Sequence, residues 1–138
     1  MSDLIRLSFS IDRGLLERLE TLLSEAGYEN RSKFIRDLVR NRLVEREWEL
    51  DEEVVGTITI IYDHHHRGLT EKLTSLQHHF EGTILATTHV HLDQNTCVEA
   101  ILIRGRASQI EALGHTVQHL KGVLKGDLSL ASLGKDLR

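Results

Sequence analysis

Two imidazoles and one thiol stand close together in the stretch Thr88-His89-Val90-His91-Leu92-Asp93-Gln94-Asn95-Thr96-Cys97. His89 and His91 are two residues apart, so on a strand both rings leave the same face. Asp93-Gln94-Asn95 reads as a hairpin turn, with Cys97 beginning the returning strand. Residues facing each other across such a pair have Cα atoms roughly 4.5–5.5 Å apart, which lets Cys97 lie beside His91. Imidazole and thiolate suit borderline to soft ions such as Zn, Ni and Cu, and do not suit Mg or Ca. Taken singly, a His-x-His pair or a buried cysteine is more often structural. Linked by one hairpin, in a chain with nine histidines, they favour a ligand set.

Three donors leave a fourth position, for which His78 is the candidate. It lies two residues past Leu76, about 200° further around a helix of roughly 3.6 residues per turn. If Leu69, Leu73 and Leu76 face a sheet, His78 faces away from it and reaches a neighbouring subunit more readily than its own His89. A metal shared in this way works as a switch, because occupancy stabilises one assembly over another. His64-His65-His66 form a separate cluster that reads as surface or as an accessory site. His115 and His119 share one helix face, an arrangement that can bind zinc. No third ligand is evident beside them, so they read as surface residues.

The elements that would position these donors follow a βαββαβ order. Residues 54–62 are β-branched and predict a strand, 68–80 a helix, 83–92 and 96–103 two strands, 106–121 a helix and 123–131 a last strand. That order is the split ferredoxin-like arrangement, one antiparallel sheet with both helices on one face. The fold class is therefore α+β.

The first part of the chain is of another kind. Ile5, Leu7, Phe9 and Ile11 alternate with Arg6, Ser8 and Ser10, the period of a half-buried strand. Asp12 is placed to cap a helix carrying Leu15, Leu16, Leu19, Leu22, Leu23 and Ala26, and Gly27 is placed to end it. Asn30 is a second cap candidate, before a helix with Phe34, Ile35, Leu38, Val39 and Leu43 on one stripe, running to about Trp48. This gives a domain over 1–48, an acidic linker over 49–53 and a second domain over 54–138.

One strand is not a stable sheet. Pairing with the same strand of a second copy buries its apolar face on four helices and turns Arg6, Ser8 and Ser10 outward together. A two-stranded ribbon fits the DNA major groove, where arginine grips guanine and hydroxyls bond several base edges. Asn30-Arg31-Ser32 open the following helix, whose free amides and dipole favour a phosphate. The other reading of the strand, that it joins the edge of the C-terminal sheet, leaves the polar triplet unexplained.

Composition constrains the remaining classes. The net charge is −4, so the totals do not announce a nucleic-acid binder. Residues 1–48 carry nine Lys/Arg against nine Asp/Glu and the remainder eight against twelve, so DNA contact must come from local placement of basic groups. No apolar run approaches a membrane span, the cysteine is single, and no secretory signal is expected from the opening residues. The chain is expected in the reducing cytoplasm, with no membrane partner.

Taken together these residues resemble the NikR family of nickel-responsive regulators, over nearly the whole chain. Gly27-Tyr28-x-Asn30-Arg31-Ser32-x-x-Ile35-Arg36-Asp37 is similar to the family's turn and second helix. Gln77-His78-His79, His89-x-His91 and Cys97-x-Glu99 match its metal-site segments in order and spacing. The resemblance implies one square-planar Ni(II) per subunit, held by His89, His91 and Cys97 of one subunit and His78 of another. It further implies an ACT-type C-terminal domain forming the core of a homotetramer, a dimer of dimers with a ribbon-helix-helix pair at each end. By the same resemblance, Arg6, Ser8 and Ser10 read the bases of a palindromic operator in double-stranded DNA and repress nickel uptake. Gln77 and Glu99 are placed to orient the ligand histidines, and Tyr62 and His64 are fainter candidates for that role.

The chain departs from the family in two places. Some relatives hold a second cation through two acidic side chains of the second helix; Asp37 keeps one, but Lys33 stands where the other would be. Serines stand where some relatives carry threonines on the DNA-reading strand. Rival functions are a repressor sensing another metal or an amino acid through an ACT-type domain, and a zinc metalloenzyme with Glu99 as base. The second has no evident substrate pocket, and the chain is expected not to be an enzyme.

Overall fold

A computed structural model describes residues 3–138. The chain forms two units, one made by the residues up to Leu43 with Asp136–Arg138, the other by Val44–Lys135.

In the first unit, residues 3–12 form no strand, unlike the sequence expectation. A ladder needs a second strand, and the single chain supplies none here. Ile5 and Leu7 are 84% and 82% exposed as a consequence. Helix α1 (Arg13–Glu25) starts after Asp12, whose side chain makes no capping bond, again unlike the expectation. Its end follows the sequence closely. Gly27 takes φ 77°, and the amides of Gly27 and Tyr28 donate to the carbonyls of Ser24 and Leu23, each at 3.0 Å. This pair of bonds closes the last turn, and glycine accepts the left-handed φ at the least steric cost.

Helix α2 (Arg31–Glu49) is capped as expected, with Asn30 Oδ1 accepting from the Lys33 amide at 2.8 Å. Asp37 organises the turn between the helices. It accepts from Tyr28 Oη at 2.7 Å, from Lys33 Nζ at 2.7 and 2.8 Å and from Arg40 at 3.1 Å. Bonds from Lys33 first, then Tyr28 and Arg40, hold its carboxyl down to about 2. Leu23 and Phe34 are buried, whereas Leu15, Leu22, Leu38 and Val39 stay largely exposed. The apolar face of this unit is thus mostly uncovered in one chain.

In the second unit the elements are β1 (Glu53–Asp63), α3 (Leu69–His78), β2 (Thr83–His91), β3 (Thr96–Arg106), α4 (Ala107–Gln118) and β4 (Val123–Leu130). The sheet order is β2-β3-β1-β4 with every neighbouring pair antiparallel, the ferredoxin-like arrangement predicted. Alternate residues of β1 (Val54, Ile58, Ile60, Tyr62) and of β3 (Cys97, Ile101, Ile103) pack with Leu69 and Leu73 of α3 and Ile110, Leu113 and Val117 of α4. Both helices therefore cover one face. Trp48, at the end of α2, closes this core and donates from Nε1 to the Ala131 carbonyl at 2.9 Å. Its indole needs Gly56, where a Cβ would lie 3.0 Å from Trp48 Cη2.

The acidic stretch after α2 is a fixed turn. Asp51 takes φ 55°, accepts from the Ser108 amide at 2.7 Å and pairs with Arg106 at 2.6 Å. Among the described residues no helix is long and apolar enough to cross a membrane.

Candidate metal centre

The register of three strands places the sulfur. Tyr62 of β1 faces Cys97 of β3, which faces His91 of β2. The next rung is Ile60, Glu99 and His89. Directly paired residues share a face, so Cys97, His91, Glu99 and His89 all lie on the helix-covered side. β2 is an edge strand, and its two histidines are exposed while Cys97 is fully buried.

Cys97 Sγ is 3.2 Å from His91 Nδ1. Across the ring gap, His89 and His91 have centroids 5.0 Å apart. His89 Nε2 is 3.3 Å from the Tyr62 hydroxyl, whose pKa burial pushes up to about 12, aided by the Glu99 and Cys97 charges. That hydroxyl keeps its proton through neutral pH. Burial also raises the Cys97 thiol above its ordinary value, with Asp93 and Glu99 adding to the effect. Below that raised value the sulfur carries its proton.

A second approach comes from the loop after β1. The His64 amide donates to the Asn95 carbonyl at 2.7 Å, and His65 Nε2 lies 2.9 Å from the Gln94 carbonyl. These bonds tie the loop to the hairpin turn, where Asp93 Oδ1 accepts from the Asn95 and Thr96 amides at 2.8 Å each. They set His64 Nδ1 3.5 Å from Cys97 Sγ and its ring edge-on to His91 at 4.7 Å. Donor atoms of His64, His91 and Cys97 lie within 4.8 Å of one another. Two nitrogens and a sulfur at this spacing fit a borderline-soft ion such as nickel.

α3 reaches the rung behind. Gln77 Nε2 donates to Glu99 Oε2 at 3.2 Å, and Thr87 Oγ1 donates to Gln77 Oε1 at 2.9 Å. Burial raises the Glu99 pKa, opposed by the neighbouring His89 and the Gln77 bond. His78 is the last residue of α3, one short of the cap, and is exposed. It does not join the cluster of its own chain. His91 and Cys97 are thus brought together, His89 stands one rung away, and Gln77 and Glu99 bond each other behind them. The closeness of His64 to the sulfur was only faintly legible. Its signal is the register that sets Tyr62 opposite Cys97, since the loop leaving β1 must then pass the start of β3.

The residues expected at DNA lie in the first unit. Arg6, Ser8 and Ser10 are exposed on the unpaired segment. Arg6 and Ser32 line one cleft with Ile35 and Val39. Asn30 is held by its capping bond. The Arg31 guanidinium pairs with Glu20 of α1, which occupies it in the chain alone.

Comparison with known families supports the two-part reading. Residues 55–131 match the NikR C-terminal nickel-binding domain, and residues 5–46 match the ribbon-helix-helix protein, copG family. Relatives described as nickel-responsive regulators align over nearly their whole length. That of Solibacter usitatus is 44% identical over 100% of both chains. That of Pyrococcus abyssi is 45% identical over 98% of this chain and 99% of its own. That of Desulfotalea psychrophila is 46% identical over 96% and 97%.

Proposed function

Because the chain belongs to the NikR family of nickel-responsive regulators, we propose that it is a DNA-binding repressor whose operator affinity is set by Ni(II) at the Cys97 site. The observation that carries this reading is the direct pairing of His91 with Cys97, with their donor atoms 3.2 Å apart.

His89, His91 and Cys97 of one subunit and His78 of the partner subunit hold one ion per subunit. Exposure of His78 at the end of its helix supports that division, since its ring is available to a second copy. The bound ion supplies a bond between two subunits. The chain's own residues do the rest. Glu99 stands opposite His89 on the paired strand and is itself held by Gln77, which keeps a carboxylate beside the imidazole. The Tyr62 hydroxyl on Nε2 steadies the same ring. His64 shields the sulfur from the loop side.

The assembly is a homotetramer. On the uncovered face of the sheet, Ile61, Val98 and Val90 form one row across three strands, with Leu102 further along the same face of β3. Val90 and Leu102 are 46% and 37% exposed, and an apolar sheet face of this kind is normally covered. The N-terminal segments pair between two copies, which covers Leu7 and Phe9 and presents Arg6, Ser8 and Ser10 as a ribbon to the major groove of a palindromic operator. Nickel uptake genes are the expected targets, and the protein acts by binding rather than by catalysis in the cytoplasm.

The test is retardation of a duplex, selected from random sequence by the nickel-loaded protein, with and without one equivalent of Ni(II) per chain. Zn(II) serves as the comparison metal. Tight, sequence-specific binding only with nickel supports the reading. Equal binding without metal overturns it.

A further inference from the structure

Helix α4 carries two histidines that the Cys97 site does not use. Its sheet-facing side is Ala107, Ile110, Leu113, Gly114 and Val117, all buried. His115, in the last turn, and His119, at the C-cap, lie on the opposite, solvent-exposed side. Their ring centroids are 4.2 Å apart and the rings are inclined by only 38°. His119 Nδ1 is 2.7 Å from the His115 carbonyl. A carbonyl only accepts, so Nδ1 carries the proton and the lone pair of Nε2 faces solvent. One ligand of a chelate is thereby set in its tautomer by the backbone of the other, the way ligating histidines are commonly oriented.

His79 provides an internal contrast. Its Nδ1 makes the same bond to the carbonyl one turn back, at 2.8 Å, but the residue there is Ser75, so no second imidazole stands beside it. Its sequence neighbour His78 is turned nearly perpendicular at 5.4 Å. The α4 pair also sits at the helix C-terminus, where the backbone carbonyls favour a cation.

We propose that His115 and His119 form a second, exchangeable metal site that chelates a divalent transition ion through two imidazole nitrogens, with water in the remaining positions. Lacking a thiolate, it takes Cu(II) ahead of Ni(II) and Zn(II), binds more weakly than the Cys97 site and fills after it. Two imidazoles four residues apart on one helix face are the same i, i+4 pair that helical H-E-x-x-H segments present to zinc. The site does not depend on the nickel-sensing reading.

The experiment uses the full chain carrying Cys97→Ala, which removes the thiolate centre. Sub-stoichiometric Cu(II) is added while histidine ring signals are followed by NMR. The expected result is broadening of the His115 and His119 rings in addition to any at His64, His89 and His91, which Cys97→Ala leaves in place. The broadening at His115 is unchanged by His79→Ala and abolished by His119→Ala. A Cu(II) titration of the two backgrounds should lose one binding event per chain with His119→Ala. Broadening that leaves the His115 and His119 rings untouched, or a titration unaltered by His119→Ala with the fold intact by circular dichroism, overturns the site. Either failure leaves nickel-dependent DNA binding by the unsubstituted chain unaffected.

Discussion

Cys97 Sγ and His91 Nδ1 lie 3.2 Å apart on a directly paired rung between the edge strand and its neighbour. A buried thiol and an exposed imidazole meet there because one strand is central and the other is not. Strand order thus provides both a protected sulfur and an entry route.

Sharing of the ion between subunits can be tested by complementation. Cys97→Ala and His78→Ala should each weaken nickel binding by about 100-fold or more, since even residues that only support ligands cost on the order of 10–100-fold. On the proposed shared site the two defects lie in different halves. Refolding an equal mixture should therefore regenerate a fraction of intact sites and recover tight binding, measured by equilibrium dialysis. A site contained in one subunit would recover nothing.

Proton release follows from the state of the sulfur. The Cys97 pKa is raised above its ordinary value of 9.0 by burial, so the metal-free chain holds the proton at neutral pH and must give it up to bind metal. This group alone should make nickel affinity rise about tenfold per pH unit until the raised pKa is passed. Calorimetry in two buffers of different ionisation enthalpy checks it. The Cys97→Ala chain should release correspondingly less.

Asp37 predicts an acid limit for the first unit. Its folded pKa is depressed from 3.8 to about 2 by Lys33, Tyr28 and Arg40. The stability it contributes is therefore present above 3.8 and is lost as pH falls through about 2. Asp37→Asn should lower the unfolding midpoint at neutral pH, and the gap to the unsubstituted chain should close in that acid window. Thermal melts across the range measure both.

Arg6 is the basic member of the outward-facing triplet. Arg6→Ala should cost about 1–3 kcal/mol of discrimination between the operator and an altered site, the value of one good bidentate contact to a base. Nickel binding should be unchanged. Competition titrations at fixed salt read the ratio.

The sequence carried most of this architecture where the determinants are local. Gly27 and Asn30 marked a helix end and a helix start through their own backbone and side-chain chemistry, and the structure uses both. His89, His91 and Cys97 were legible because a single hairpin holds them. Contacts across long separations were harder to read. His64 reaches Cys97 over 33 residues, which depends on β1 lying next to β3. Asp51 bonds Ser108 over 57 residues, turning an acidic run that reads as a linker into a fixed turn. The N-terminal alternation of Ile5, Leu7 and Phe9 has the period of a strand, yet residues 3–12 form none in the single chain, because a ladder needs a second strand.

The most direct measurement is a crystal structure of the full chain loaded with one equivalent of Ni(II) per subunit. The expected electron density places nickel on Cys97, His89 and His91, with His78 of the partner subunit completing the donors. Nickel held elsewhere, with the Cys97 sulfur bound to no ion, would contradict the assignment.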